Sequence, residues 1–312
     1  MRQNPLLIIL GPTASGKTKL AVKVADALNG EIISADSRQI FKGMDIGTGK
    51  DLDEYMLNGK AIPYHLIDIK KAGERYNVNE FKEDFFSIFQ KISEKGAIPI
   101  LCGGTGMYVH SILQNHEYTA IPVNNELRDS LKNFDKELLR RKLFDYPAEL
   151  IKQADQSSHK RLIRAIEIAE YLMHNNLQSI ERPEFNSLVI GLSSDIELRR
   201  HKIISRLELR FKEGMIDEVK KLIADGVTKE DLVFYGLEYK FIAAYLFDEL
   251  SYPELKERLA IAICQFAKRQ MTFFRKMEKD GVEINWFNIE LNADELFDEV
   301  INTFKLKFGC QS

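Results

Sequence analysis

Gly11, Pro12, Thr13, Ala14, Ser15, Gly16, Lys17 and Thr18 stand in an order that suits gripping phosphate. Glycines let successive backbone N–H groups turn inward around phosphate oxygens. Lys17 adds a mobile positive charge for the terminal phosphates, and the Thr18 hydroxyl is placed to bind Mg²⁺. The octet fills the pattern G-x-x-x-x-G-K-[ST] completely. It predicts a phosphate-rich small molecule as ligand but leaves its fate open, whether hydrolysis, transfer or release. Asp36 follows a second apolar run. A carboxylate there serves as a general base, holds Mg²⁺ through water, or caps the next segment; position alone weighs these evenly. Gly103-Gly104-Thr105 ends a later apolar run. It either offers donors and a hydroxyl to the same cleft or is an ordinary glycine turn. Leu66-Ile67-Asp68 reads as a strand with a terminal acid, with a capping role for Asp68 equally open.

These residues need a scaffold. Leu6 to Leu10 is apolar throughout, as a buried parallel strand requires. Lys17 to Leu28 has the helical period through Leu20, Ala21, Val24 and Leu28. Glu31 to Ala35 and Ala97 to Cys102 read as further strands, Ala61 to Ile69 contains another around His65 to Ile69, and Phe81 to Ile92 reads as an amphipathic helix. Alternating strands and helices predict an α/β fold: a P-loop NTPase-like parallel sheet with flanking helices. Functional groups then gather beyond the carboxyl ends of the strands. From Pro122 to about Arg182 only helical segments appear, predicting a small helical insertion domain at 120–185. Residues 1–119 and 186–312 form the catalytic core, with one more strand at Leu188 to Leu192, a mostly helical C-terminal part and a last strand near Glu283 to Phe287.

The chain has 312 residues, 45% of them hydrophobic, enough for a sizeable core. Its net charge of −3 does not announce a nucleic-acid binder, although local basic faces matter more than the total. Cys102, Cys264 and Cys310 are odd in number and far apart, which argues against a disulfide framework or a zinc site and suits a reducing cytosol. No apolar run reaches about 18 residues, so no membrane span is expected.

The segments GPTASGKT, ISADSRQIFKGMDIGTGK, PYHLIDI and PILCGGTGMYV, in that order, resemble the tRNA dimethylallyltransferases, also called tRNA isopentenyltransferases. So do HKRLIRAIEI at 159–168, RFKEGMIDEV at 210–219 and QFAKRQMTFFRKM at 265–277. The resemblance covers nearly the whole chain. It implies transfer of a dimethylallyl group from dimethylallyl diphosphate to N6 of adenine 37, in tRNAs reading codons that begin with U. The P-loop would then hold the donor's diphosphate, with Mg²⁺ as cofactor at Thr18 and Asp36 near it through water. By the same resemblance, Asp36 accepts the amine proton, Thr105 positions the reacting groups and Arg206 meets the diphosphate. A base buried in an anticodon loop must be extruded to react. Asp36, Ser37, Arg38, Gln39 and Thr105 match the segments that meet the flipped base and its neighbours. Arg128, Lys160, Arg161, Arg164, Gln265, Lys268 and Arg269 match the tRNA-contacting segments. A cytoplasmic, monomeric, bacterial-type enzyme is expected, with the tRNA anticodon stem-loop as partner and no membrane association.

Four basic clusters could meet RNA phosphates: Lys136/Arg140/Arg141/Lys142, Lys160/Arg161/Arg164, Arg199/Arg200/Lys202/Arg206 and Lys268/Arg269/Arg275/Lys276. Each taken alone is more often a solvated helix face. The chain also departs from the family pattern. Ser157-Ser158 replaces Asn-Asp, Ile263-Cys264 replaces Thr-Arg, Glu238-Tyr239 replaces Gly-Tyr, and Phe273 replaces a Trp. These departures are expected in tRNA-facing parts, away from the donor site. The other readings of the loop are a small-molecule or nucleoside kinase, a prenyltransferase acting on free AMP, ADP or ATP, and a non-catalytic RNA-binding module. Incubation with Mg²⁺, dimethylallyl diphosphate and either tRNA or free adenine nucleotide separates them: prenylated tRNA is expected, with neither phosphoryl transfer from ATP nor prenylated free nucleotide.

Overall fold

A computed structural model describes residues 4–114, 116–152, 154–177 and 181–309; Cys310 lies outside them. The chain divides into two compact units, residues 1–113 with 183–312, and residues 114–182.

The first unit is built on six parallel strands: β1 (Pro5–Leu10), β2 (Gly30–Ser34), β3 (Tyr64–His65), β4 (Ile98–Gly103), β5 (Asn186–Ser193) and β6 (Asn285–Asn288). Their order is β3-β2-β4-β1-β5-β6. β1 is apolar at every position because both its faces are covered. Leu6, Ile8 and Leu10 join one core, Leu7 and Ile9 the other. The register pairs Leu10 with Gly103 and Ser34 with Cys102. The carboxyl ends of β1, β2 and β4 therefore lie side by side.

Helices cover both faces. α1 (Lys17–Leu28), α2 (Val78–Glu94) and α3 (Gly106–Leu113) belong to the amino-terminal half. α2 begins at a full capping box, in which Asn77 and Glu80 satisfy each other's backbone N–H groups. The second unit contains α4 (Asn125–Leu131), α5 (Lys136–Phe144), α6 (Ala148–Ile151) and α7 (His159–His174), packed on Leu131, Leu139, Leu143, Leu162 and Ile166. The chain then returns through β5 to α8 (Ile196–Lys212), α9 (Met215–Ala224), α10 (Lys229–Tyr235), α11 (Leu237–Leu246), α12 (Tyr252–Lys279) and α13 (Ala293–Phe308). Among the described residues, no helix is long and apolar enough to cross a membrane.

The strand expected within 61–69, around His65 to Ile69, is the largest misreading. Only Tyr64 and His65 pair with β2. Leu66 and Asp68 take positive φ, at 61° and 56°, which breaks the ladder. Asp68 does not end a strand at the phosphate site. Its carboxylate accepts from Lys50 Nζ, which also donates to Asp45 Oδ1 at 2.6 Å and to the Phe41 carbonyl at 2.7 Å. Lys50 is 1% exposed, so this ammonium ties the 41–50 loop to the segment beyond β3. Replacing it, as Lys50→Met, leaves Asp68 and Asp45 without their cation. The expected loss is about 2 kcal/mol in urea unfolding, less than for a fully enclosed pair because Asp45 is half exposed.

Candidate active site

The phosphate loop connects β1 to α1. Gly16, at φ 76°, is the residue before α1, and Ala14 shares the left-handed region at φ 62°. Ala14 gains nothing locally from that geometry, which costs a non-glycine residue roughly 1 kcal/mol. The loop shape it serves aims successive N–H groups at one point, where the positive end of the α1 dipole also lies. Thr13 to Lys19 line a cavity of about 350 Å³ together with Asp36, Gln39, Thr48, Asp51, Glu54, Lys202 and Arg206. Gly11 and Pro12 are buried beneath it and line neither cavity described here. The Ser15 hydroxyl is buried and has no hydrogen-bond partner among the described residues. Burial pushes the Lys17 ammonium down; Cys102 and Asp36 oppose that shift and Arg206 adds to it. The Cys102 thiol beneath is pushed up to about 12 by burial, so it is a neutral core group.

A second cavity, of about 480 Å³, opens beside the first. Thr13, Lys17, Asp36, Thr48 and Arg206 line both, so the two join across these side chains. Asp36 and Thr105 come from the ends of β2 and β4 and meet here. Asp36 Oδ1 accepts from the Arg38 N–H at 2.9 Å, and Thr105 Oγ1 accepts from the Ser37 N–H at 3.1 Å. Asp36 therefore both ties down the next turn and faces the cavity. Arg206 Nη2 donates to Thr13 Oγ1. Its guanidinium is pushed down to about 10, by burial first and by Arg210 next.

The sequence pattern missed several residues here. Gln270, on α12, accepts from the Thr13 N–H at 2.9 Å and donates to the Gly104 carbonyl at 2.9 Å. One buried amide thus joins the phosphate loop to the Thr105 loop. Its signal was the α12 period, which puts Ile263, Phe266, Gln270 and Phe273 toward one side, all lining this cavity. Glu238 lines it too. The residue is partly accessible through the cavity, yet its carboxylate is pushed up by burial, opposed chiefly by Arg210. None of the departures from the family pattern lines the phosphate pocket, and three of them line the larger cavity. Glu238, Ile263 and Phe273 stand in the cavity of Asp36 and Thr105. Ser158, by contrast, has a structural role, because its side chain caps α7 by accepting from the Arg161 N–H.

Other expected contacts separate. Ser37, Arg38 and Arg269 line the larger cavity. Gln39 lies in the phosphate pocket instead, its amide spent on Ser34 and the Gly49 carbonyl, so it is not free to read a base. Gln265 and Lys268 are exposed on α12, outside both cavities. In the second unit Lys160 and Arg161 are exposed, the latter bonded to Asp155 and Ser157. Arg128 forms a fork on buried Glu167 at 2.8 and 2.7 Å, and Arg164 donates to the Tyr118, Ile121 and Pro122 carbonyls. Both hold their own unit together.

Comparison with known proteins finds relatives over nearly the whole chain. The family described as IPP transferase matches residues 39–277. A tRNA dimethylallyltransferase of Parabacteroides distasonis is 51% identical, with 95% of this chain and 96% of that protein aligned. This chain belongs to the tRNA dimethylallyltransferase family. A second relative of that description, from Phocaeicola vulgatus, is 48% identical over 98% of this chain and 100% of its own length. The crystal structure of a full-length tRNA isopentenylpyrophosphate transferase from Bacillus halodurans superposes with a TM-score of 0.73 at 31% identity, covering 98% of this chain and 97% of that one. Gln270 bridges the phosphate loop and the Gly104 carbonyl. Gln270→Ala removes both its bonds, and about 2 kcal/mol of stability should be lost in urea unfolding. KM for the donor should rise more than KM for tRNA in steady-state assays.

Proposed function

We propose that this chain carries the dimethylallyl group of dimethylallyl diphosphate to N6 of adenine 37, in tRNAs that read codons beginning with U. It is an enzyme of tRNA modification, in keeping with its family. The observation that carries the finer reading is the joining of a phosphate cradle to a second cavity at Thr13, Lys17, Asp36, Thr48 and Arg206. A diphosphate in the first cavity leaves its prenyl carbon at that junction, and an extruded adenine reaches the same point through the second.

The residues then divide the reaction. The bond between the allylic carbon and the diphosphate oxygen breaks, and the diphosphate keeps the electron pair. Loop N–H groups, Lys17 and Arg206 stabilise that growing charge, and they do so best when it is fully developed. The adenine N6 forms the new bond to carbon and loses a proton, which Asp36 accepts. Thr105, fixed against Ser37, holds the attacking side in place. The oxygen donors around the cradle, Thr18, Asp36, Asp51 and Glu54, are of the hard kind that suits Mg²⁺. Among the described residues no cluster of three or more carboxylate, His or Cys side chains forms a cage of its own. Such a site fits an ion held partly by the diphosphate, with Thr18 as the protein hydroxyl and Asp36 reaching it through water. The ion would supply charge neutralisation on the leaving group.

Arg38, Ser37 and Arg269 at the larger cavity receive the extruded base and its neighbours. Gln265, Lys268, Lys160 and Arg161 offer exposed groups to the anticodon stem-loop. The chain acts as a monomer in the cytoplasm, where its tRNA partner resides.

Asp36→Asn keeps an oxygen for the Arg38 N–H and removes the proton acceptor. Turnover should fall by about 10²- to 10⁴-fold while tRNA affinity stays near that of the parent. Nucleoside mass spectrometry of tRNA incubated with each protein and dimethylallyl diphosphate reads the first, and filter binding reads the second. Full activity in Asp36→Asn would remove the base assignment, and absence of the prenylated adenosine with the parent would remove the function.

A further inference from the structure

Arg210 lies one turn beyond Arg206 on α8, at the i+4 position that shares a face. It carries a second guanidinium to the wall of the cavity that holds Asp36 and Thr105. The residue is 5% exposed, and its Nη2 has no hydrogen-bond partner among the described residues. The Asp51 carboxylate stands 3.7 Å from Nη2, beyond hydrogen-bond range. Asp51 thus ion-pairs with the guanidinium without satisfying this N–H, which leaves the buried donor incompletely compensated.

The fold has made room for this group. Gly49, at φ +62°, sits where an added Cβ would come within 1.6 Å of Arg210 Nη2. Any side chain at 49 would displace the guanidinium. Gly49 and Asp51 line the phosphate pocket, so Arg210 Nη2 abuts that pocket while its residue lines the larger one. Burial first and Arg210 next push the Arg206 guanidinium down, so the two arginines also repel each other. Glu238 lines the larger cavity with both of them, and their charges favour its ionised form against its burial.

We propose that Arg210 is a second arginine ligand of the donor diphosphate, and that Glu238, lining the same cavity, limits how tightly that anion is held. The inference rests on the reading of the phosphate loop as the diphosphate site and adds two residues to it. Lys17 and Arg206 bind one side of the anion, and the Arg210 guanidinium adds its charge from the larger cavity that adjoins the phosphate pocket. Glu238 offsets one positive charge of the group, so that product diphosphate is released. A Glu238 that only complemented the amino terminus of α11 would leave anion affinity unchanged.

The test titrates inorganic pyrophosphate with Mg²⁺ into the full-length chain by calorimetry, beside steady-state KM values for dimethylallyl diphosphate and tRNA. Arg210→Gln should weaken pyrophosphate binding and raise the donor KM about tenfold or more, with KM for tRNA unchanged. Arg210→Lys should recover part of the loss. Glu238→Gln should bind pyrophosphate more tightly than the parent and turn over more slowly, a change of sign that a structural role would not produce. Lys17→Met is the control for the phosphate loop. Pyrophosphate affinity in Arg210→Gln within about twofold of the parent, while Lys17→Met loses it, overturns the proposal alone. Unchanged affinity in Lys17→Met as well overturns the diphosphate reading with it. Should Arg210→Gln fail to fold, Glu238→Gln decides: pyrophosphate binding equal to or weaker than the parent's overturns the proposal.

Discussion

Three cationic side chains, Lys17, Arg206 and Arg210, converge on one small region that Asp36, Asp51, Glu54 and Glu238 also line. Burial works against the charge of Lys17 and of Arg206, and Arg210 adds repulsion to Arg206. Like charges drawn out of water are unfavourable on their own. The arrangement persists because the strands and helices around it are firmly packed, and it becomes favourable when an anion enters. Much of the molecule's architecture follows from holding that arrangement in place.

The sheet supplies the first half of the hold. β2, β4 and β1 are neighbours, so their carboxyl ends deliver Asp36, Thr105 and the phosphate loop to one edge. Short bonds then lock the loops to one another: Thr105 to Ser37, Asp36 to Arg38, and Gln39 between Ser34 and Gly49. The C-terminal helices supply the second half. α8 brings both arginines from one face. α12 brings Gln270, whose amide spans the phosphate loop and the Gly104 carbonyl. The 41–50 loop is anchored by Lys50 and by Glu218, whose carboxylate accepts from the Asp45, Ile46 and Gly47 N–H groups. A site that must bind a highly charged donor and release a highly charged product needs this stiffness, since a slack loop would collapse onto its own cations.

Basic residues matched to tRNA contacts by sequence alone divide into two kinds. Arg128 and Arg164 spend their guanidinium groups on Glu167 and on backbone carbonyls within their own helical unit. Lys160 and Lys268 are exposed. A charge pattern cannot separate these, because a helical period places a cation on a face without saying what that face meets.

Residue order was enough to specify most of the elements and the chemistry of the cradle. A complete phosphate-loop pattern between an apolar run and a helical period has few physical alternatives, and β1, α1 and β4 fall within a residue or so of the spans read from it. The ordered family motifs named the donor site, Asp36 and Thr105. Three further matters were settled by packing in three dimensions. The strand ends after His65, where Leu66 and Asp68 turn to positive φ to bring Asp68 to Lys50. Glu238, Ile263 and Phe273 come together with Asp36 and Thr105 in the larger cavity. Gln270 meets Thr13, 257 residues away in the chain, and Arg210 is set against Gly49. Local propensity and spacing carry no information on such pairs, because what joins them is the packing of distant helices against the edge of a sheet.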